Sequence, residues 1–184
     1  PVFACLDPAS GRELWRVDDL PGYNVFWQQQ CPSLADAVLY AGSGAGIRAL
    51  DAETGATIWE RTLLQGSFRI TTTPVAGRNC LLYGALDGTF GAIDRATGEF
   101  VWKNRTPGSE KYTHRIVTGS AAYRDGVFYT GLGNGDVVAV TEDTGEVLWR
   151  IATGMAIYTV GHAMRDEPGV CASPGISGGV LYIG

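Results

Sequence analysis

The sequence has no excess of positive charge and no long apolar run, and both shortages narrow its possible functions. Lysine and arginine total 14 against 19 acidic residues, which gives a formal net charge of −5, whereas nucleic-acid-binding domains are normally basic. No apolar stretch approaches the about 18 residues that a membrane-spanning helix needs. We therefore expect neither a nucleic-acid partner nor a transmembrane segment.

The few cysteines and histidines do not follow the spacing of a metal site. The four cysteines are Cys5, Cys31, Cys80 and Cys171. None of them forms a Cys-x-x-Cys pair, and His114 and His162 are isolated along the chain. All four lie within or beside apolar runs, where a free cysteine packs as a small hydrophobic residue. We predict no metal site and favour buried thiols over disulfides, although the sequence leaves the disulfide state open.

Glycine, in contrast, is abundant, and its 26 residues recur at fixed places in a repeated text. The phrase "LDPASGRELW" (6–15) returns as "LDAETGATIW" (50–59), "IDRATGEFVW" (93–102) and "VTEDTGEVLW" (140–149). Each later copy follows an apolar run that ends in Tyr-Ala-Gly, Tyr-Gly or Tyr-Thr-Gly and then a glycine-rich turn. Such turns between alternating apolar runs indicate β-hairpins. With a further run of small and polar residues upstream, each unit is predicted to form four antiparallel strands, A to D.

The period of the repeat predicts the architecture. The phrases end in Trp15, Trp59, Trp102 and Trp149, which are 44, 43 and 47 residues apart. Four short strands every 40–50 residues or so are typical of β-propeller blades, and no helical apolar period is present. We predict an all-β chain forming one β-propeller domain over 1–184. Its four blades are expected at about 20–63, 64–105, 106–153, and 154–184 joined to 1–17.

The two ends of the chain are predicted to supply complementary halves of the fourth blade. "CASPGISGGVLYIG" (171–184) supplies strands A and B, and "PVFACLDPASGRELW" (1–15) supplies strands C and D. Joined within one chain, they would close a four-bladed ring without an open sheet edge. Alternatively, two copies form a homodimer that completes an eight-bladed ring. Because the sequence begins at Pro1 rather than Met, we also expect a processed product or a fragment of a longer protein.

The repeated phrases resemble the tryptophan-docking repeats of quinoprotein-type, PQQ-like β-propellers. The resemblance covers nearly the whole chain, and "AVTEDTGEVLW" departs from it only in having Thr141 where the other copies have aspartate. It implies that a tryptophan, a turn glycine and a leading alanine pack each blade against the next, and that the turn at Thr141 makes one interaction fewer. The implied docking residues are Trp15, Trp59, Trp102 and Trp149, with Gly11, Gly55, Gly98 and Gly145 and with Ala4, Ala49, Ala92 and Ala139.

The long D–A loops are the candidate binding segments. Strand alternation places them on the same face as the B–C turns, and loops on a rigid scaffold commonly carry binding sites. Aromatic and arginine side chains are typical anchors. The candidate pocket consists of Tyr23, Trp27, Gln29, Arg69, Tyr112, His114, Arg115, Tyr158 and His162. The competing interpretation is that Trp27 and Tyr158 pack between blades and that the others are solvated. Asn104-Arg105-Thr106 also matches a glycosylation sequon.

The family resemblance implies two kinds of function. Some members are PQQ-dependent dehydrogenases of alcohols or sugars, and others are non-catalytic scaffolds of the bacterial envelope. We predict a non-catalytic scaffold without cofactor that binds a protein or peptide on the long-loop face, in the periplasm or outside the cell. The alternative is a PQQ-dependent oxidoreductase, or part of one, that holds Ca²⁺ and binds the anionic quinone near Arg69 and Arg115. The sequence lacks the adjacent-cysteine pair of the large alcohol dehydrogenases. A regulatory module of a larger enzyme is the third hypothesis.

Overall fold

The computed structural model describes residues 3–18, 31–64, 70–107, 117, 119–153 and 172–183. These residues form sixteen β-strands and no helix. No helix in this part of the chain is therefore long and apolar enough to cross a bilayer. Every pair of neighbouring strands is antiparallel. The prediction of an all-β protein with antiparallel sheets is confirmed.

Twelve of the strands form three complete four-stranded units in chain order. Unit 1 contains β3 (Ser33–Ala35), β4 (Val38–Ser43), β5 (Gly46–Asp51) and β6 (Thr57–Thr62). Unit 2 contains β7 (Val75–Ala76), β8 (Cys80–Gly84), β9 (Thr89–Asp94) and β10 (Phe100–Arg105). Unit 3 contains β11 (Ala122–Arg124), β12 (Val127–Gly131), β13 (Asp136–Thr141) and β14 (Val147–Ala152). Strands A to D of the first three predicted blades correspond to the four strands of these units.

Two further hairpins lie at the ends of the described chain. The first joins β1 (Phe3–Leu6) to β2 (Glu13–Val17), and the last joins β15 (Gly175–Ser177) to β16 (Val180–Tyr182). Each hairpin is a separate two-stranded sheet. The predicted fourth blade, closed by the N- and C-terminal strands of one chain, is therefore not formed by the described residues. The blade boundaries and the single domain over 1–184 stay predictions.

The core lies between the units, because the C strands are buried on both faces. The first five residues of β5, β9 and β13 are all buried. One apolar cluster joins units 1 and 2 through residues such as Tyr40 and Leu81, and a second joins units 2 and 3 through Phe90 and Phe128. A sheet with two apolar faces needs a neighbour on each side, as expected of stacked repeats.

The strand register corrects one docking residue predicted from sequence. Ala49, Ala92 and Ala139 each lie opposite the tryptophan of their unit. Ala4 does not, because it pairs with Arg16, and the residue opposite Trp15 is Cys5. The small residue that faces the indole is thus a cysteine in the first copy.

Candidate binding face and the seams that support it

The tryptophan that is the third residue of β2, β6 and β10 contacts the C–D turn of the next unit. The indole N–H groups of Trp15, Trp59 and Trp102 donate to the backbone carbonyl oxygens of Ala52, Arg95 and Glu142, at 3.0, 3.0 and 2.6 Å. A buried indole needs such an acceptor to offset the loss of water. The three contacts have the same geometry, so successive units pack against one another in the same way. We call each such junction a seam.

The turn glycine of each seam lies directly under the indole ring. Gly145 has a φ of +69°, in the left-handed region that glycine adopts without strain. A Cβ atom at this position would lie 2.4 Å from Cδ2 of Trp102. Gly55 and Gly98 hold the same relation to the tryptophans of the preceding D strands. Backbone conformation and close approach therefore both require glycine here.

Glu142 links units 2 and 3 with its side chain as well as its backbone. Its carboxylate accepts hydrogen bonds from the backbone N–H groups of Asn79 and Cys80, at 2.6 and 2.9 Å, and from the Tyr123 hydroxyl at 2.6 Å. Glu142 is only 3% exposed. Burial opposes its ionisation, but the hydrogen bonds from Tyr123, Asn79 and Cys80 outweigh burial and hold the Glu142 pKa below its ordinary value. The ionised carboxylate is thus part of the folded seam.

Arg95 occupies the equivalent turn position in the seam between units 1 and 2. Its guanidinium donates to Asp36 Oδ2 at 2.7 Å and to the Gly77 carbonyl at 2.8 Å. It also lies over the Tyr40 ring, 5.7 Å from the centroid. Ala52 takes this position in unit 1. Sequence analysis did not identify Arg95 and Glu142 as seam residues. The signal for them was that the residue after the first turn position changes from Ala52 to Arg95 to Glu142 in successive copies.

A chain of hydrogen bonds joins the beginnings of the first strands. The backbone N–H groups of Cys31, Thr73 and Ser120 donate to the hydroxyl groups of Thr73, Ser120 and Ser173, at 3.2, 3.0 and 3.0 Å. The neighbouring strands β3, β7, β11 and β15 contact one another in this order. The small polar residues of the A runs therefore join successive units at their first strands.

The described ends of the D–A segments lie beside the B–C turns, on one face of the units. Before the segment 108–116, Thr106 N–H donates to the Gly88 carbonyl at 2.8 Å, and after it Val117 N–H donates to the Ala85 carbonyl at 3.3 Å. Leu64 and Ile70 flank the segment 65–69 in the same way, donating to Ala45 and Gly44. We call this the long-loop face.

The predicted pocket residues themselves lie outside the described part of the chain. They are Tyr23, Trp27, Gln29, Arg69, Tyr112, His114, Arg115, Tyr158 and His162. Their convergence on the long-loop face stays a prediction. The described residues instead line a cleft between units 2 and 3, which reaches this face at Arg105 and Pro107.

This cleft, which we call the arginine cleft, has a volume of about 300 Å³. Its lining residues are Phe90, Asn104, Arg105, Pro107, Leu132, Val138, Val147 and Arg150. The side chains of Arg105 and Arg150 are each 54% exposed. Arg105 lies 3.5 Å from the Asp87 carboxylate in its own unit, and Arg150 lies 3.5 Å from the Asp136 carboxylate in its own unit. A guanidinium has five N–H donors, so each arginine retains donors for a further partner. The cleft can hold an apolar side chain flanked by carboxylates.

The glycosylation sequon lies in a seam rather than at an open surface. Asn104 Nδ2 donates to the Gly145 carbonyl at 2.7 Å, and Thr106 is fully buried. A glycan on Asn104 would break this contact between units 2 and 3. The match to the sequon is therefore explained by packing.

The described residues offer no cluster of three or more His, Cys, Asp or Glu side chains that could hold a metal ion. Cys5, Cys31 and Cys80 are free thiols, of which Cys31 is exposed and Cys80 buried. Burial, followed by the charge of nearby Glu142, raises the pKa of Cys80 to about 11. Cys171 lies outside the described residues.

Four-stranded antiparallel units in series, each docked on the next through a tryptophan and a turn glycine, define a β-propeller-type repeat protein. A family model described as "Outer membrane protein assembly factor BamB" matches residues 2–183. The chain belongs to this family of PQQ-like repeat proteins, which confirms the resemblance drawn from the repeated phrases.

Curated relatives come from both functional branches of the repeat. Outer membrane protein assembly factor BamB of Shewanella oneidensis is 29% identical, over 96% of this chain and 45% of its own length. Quinoprotein alcohol dehydrogenase PedH of Pseudomonas putida is 28% identical, over 83% of this chain and 27% of its own length. The chain thus spans less than half the length of these relatives.

Solved structures show the same fold. BamB from Moraxella catarrhalis superposes with a TM-score of 0.67 at 18% identity, over 94% of this chain and 47% of that one. The computationally designed Ika8 protein superposes with a TM-score of 0.65 at 17% identity, over 97% of this chain and 48% of that one. In both cases this chain covers about half of the longer chain.

Proposed function

We propose that this chain is a non-catalytic scaffold of outer membrane protein assembly, which binds a protein or peptide segment on its long-loop face. The observation that carries the proposal is the match to the BamB family model over residues 2–183. The setting of such a scaffold is the periplasm.

The described part of the long-loop face supports a protein ligand. The arginine cleft combines an apolar floor at Phe90, Leu132 and Val138 with two exposed guanidinium groups. Arginine next to apolar surface is typical of protein-binding anchors. The backbone hydrogen bonds to the B–C turns hold both edges of the cleft in place. The occupant that fits best is an extended segment with an apolar side chain between acidic ones.

The test is a binding measurement with a defined probe. A fluorescein-labelled peptide that copies one β-strand of an outer-membrane β-barrel, chosen to carry acidic residues beside an apolar one, is titrated with the chain and followed by anisotropy. The double variant Arg105→Ala and Arg150→Ala should weaken binding about tenfold or more, because two anchors are removed. Arg124→Ala is the matched control, since Arg124 is an exposed, ion-paired arginine at the A–B turn of unit 3. Equal effects of the two changes, or no saturable binding, would refute the proposal.

A quinone-dependent oxidoreductase is the second candidate, and the match to PedH over 83% of the chain favours it. The residues that would hold the anionic quinone in this hypothesis, Arg69 and Arg115, lie outside the described part of the chain. Addition of PQQ and Ca²⁺, followed by the quinone absorption spectrum and by dye reduction with alcohols and sugars, separates the two functions. A bound quinone spectrum with alcohol-dependent dye reduction would replace the scaffold by the enzyme.

A further inference from the structure

A second cavity lies in the seam between units 1 and 2 and has a volume of about 510 Å³. Unit 1 lines it with its A–B turn and with parts of β4 and β6, and unit 2 lines it with its A–B and C–D turns. In an antiparallel sheet these turns lie at the end opposite the B–C turns. The cavity therefore opens away from the long-loop face, and we call it the short-turn cavity.

The unit 1 side of the short-turn cavity is mainly apolar. Its apolar lining residues are Val38, Tyr40, Ile58 and Trp59. Ile58 has no residue opposite it in β5, because the register between β5 and β6 shifts between Ala49 and Leu50. Irregular positions of this kind re-aim a side chain, and Ile58 is 51% exposed. An apolar group of a ligand can therefore be covered at this side.

Arg95, one of the two arginines that line the cavity, has its partners within the protein. Its guanidinium donates to Asp36 Oδ2 at 2.7 Å, to the Gly77 and Arg78 carbonyls at 2.8 and 3.1 Å, and to the Tyr40 hydroxyl at 3.4 Å. These contacts use most of its five N–H donors. The Arg95 side chain is only 13% exposed, so it forms part of the wall and is not available to a ligand.

Arg78, the other arginine, has no such partners. It is exposed, and its guanidinium makes no hydrogen bond or ion pair with another described residue. Its charge acts through space on Glu142 of unit 3, whose carboxylate is bonded to Tyr123 and to the backbone of unit 2. A guanidinium binds a carboxylate through two parallel N–H donors. Arg78 therefore offers a carboxylate site at the unit 2 side of the cavity.

The other charges of the cavity restrict the ligand to a single carboxylate. Asp36 and Asp94 also line it, and they would repel a ligand with several negative charges. The Asp36 side chain is 83% exposed, so its carboxylate remains accessible to N–H donors of a ligand. The chain end of a polypeptide combines the three complementary parts, which are one α-carboxylate, an apolar last side chain and backbone N–H groups.

We propose that the short-turn cavity binds the C-terminal end of a partner polypeptide whose last residue is apolar. The α-carboxylate bonds the Arg78 guanidinium, the last side chain packs against Val38 and Ile58, and a backbone N–H donates to Asp36. This site lies opposite the long-loop face and does not depend on what that face binds. A scaffold with both sites can hold two partners at the same time.

The first test is fluorescence anisotropy with the hexapeptide Gly-Ser-Gly-Ser-Gly-Leu, labelled with fluorescein at its N-terminus. The peptide with a free carboxylate should bind saturably, and the same peptide with a C-terminal amide should bind at least about tenfold more weakly, because a charge-assisted bond is lost. Arg78→Ala should weaken binding of the free acid to a similar extent. Arg124→Ala is the matched control, since Arg124 lies at the A–B turn of unit 3 and pairs with Asp125.

Three results of this titration would overturn the proposal. They are no saturable binding of the free acid, equal affinities for the acid and the amide, and equal effects of Arg78→Ala and Arg124→Ala. Circular dichroism verifies that each variant is folded.

A second test concerns the apolar side of the cavity and the nature of the ligand. Ile58→Ser should weaken binding of the free acid, whereas Val101→Ser should not, because Val101 takes the same place in β10 without lining the cavity. Octanoate has a carboxylate and an apolar chain but no N–H donor, so it should displace the peptide only at higher concentrations than the unlabelled hexapeptide. Equal effects of the two serine variants would contradict the binding site, and equal competition by octanoate would show a free acid as the ligand and contradict the chain end.

Discussion

Gly145→Ala is expected to destabilise the seam between units 2 and 3 for two separable reasons. The φ of +69° at this position costs an alanine about 1–2 kcal/mol, because its Cβ crowds the backbone in the left-handed region. In addition, the new Cβ would lie 2.4 Å from Cδ2 of Trp102, and such overpacking typically costs about 1–3 kcal/mol. The free energy of unfolding should therefore fall by about 2–5 kcal/mol.

Gly126→Ala is the matched control for the backbone cost. Gly126 has a φ of +82°, but apart from its chain neighbours no atom of the described residues lies within 4 Å of a Cβ built on it. Its replacement should cost only about 1–2 kcal/mol. In urea unfolding, where the slope is about 2 kcal/mol per molar, the two variants should differ in midpoint by about 0.5–1.5 M.

A double-mutant cycle isolates the contribution of the indole. In a Trp102→Ala background the ring is gone, so Gly145→Ala should cost no more than the backbone strain of about 1–2 kcal/mol. The reasoning is refuted if Gly145→Ala and Gly126→Ala are equally destabilising, or if removal of Trp102 leaves the cost of Gly145→Ala unchanged.

Two further predictions concern groups buried in the same seam. Lowering the pH should weaken the seam, because the depressed folded-state pKa of Glu142 means that its contribution is fully present above the unfolded value of about 4.3 and is lost as the pH falls through the folded one. Urea unfolding between neutral and acidic pH should show a smaller loss of stability for Glu142→Gln than for the wild type, and equal losses would contradict this role. Alkylation with iodoacetamide should modify exposed Cys31 in the folded protein but Cys80 only after unfolding, since Cys80 is 4% exposed and its pKa is raised to about 11. Peptide mapping measures both sites, and equal labelling rates in the folded protein would contradict the burial of Cys80.

The all-β fold could be predicted from sequence because its determinants are local and repeated. Hairpin turns, alternating strands and the period of the tryptophans each lie within one unit, so four copies reinforce one interpretation. The same repeat pattern explains why the assignment of Ala4 was wrong and those of Ala49, Ala92 and Ala139 fit the strand register. The pattern favours a small residue two positions before the turn residue that Asp51 and Asp94 represent, and in the first copy Cys5 holds that place.

The connections between units could not be predicted in the same way. The Glu142 carboxylate accepts hydrogen bonds from the backbone of Asn79 and Cys80 in unit 2. This contact depends on how the turn of unit 3 faces unit 2, and the period of the sequence does not contain that information. Periodicity likewise gives the number of units but not the angle between them, which decides whether one chain closes a ring. The structure places the two terminal hairpins in separate sheets, although the text of their strands is complementary.

Each seam combines a part common to all with a part of its own. The common part is the packing of a tryptophan on a turn glycine. Because it is the same in every seam, it stabilises the junctions but does not determine which unit packs against which. The seams differ in the residue that follows the first position of the C–D turn. At this place Arg95 and Glu142 have side chains that bond polar groups of the neighbouring unit. Ala52 and Pro8 have no polar side chain there. The Glu142 carboxylate is buried, so breaking its hydrogen bonds costs more than exchanging one apolar contact for another, whereas the Arg95–Asp36 pair has an exposed carboxylate and contributes less. The polar contacts of Arg95 and Glu142 therefore distinguish the two inner seams from the seam of Trp15, where Ala52 offers only its backbone carbonyl.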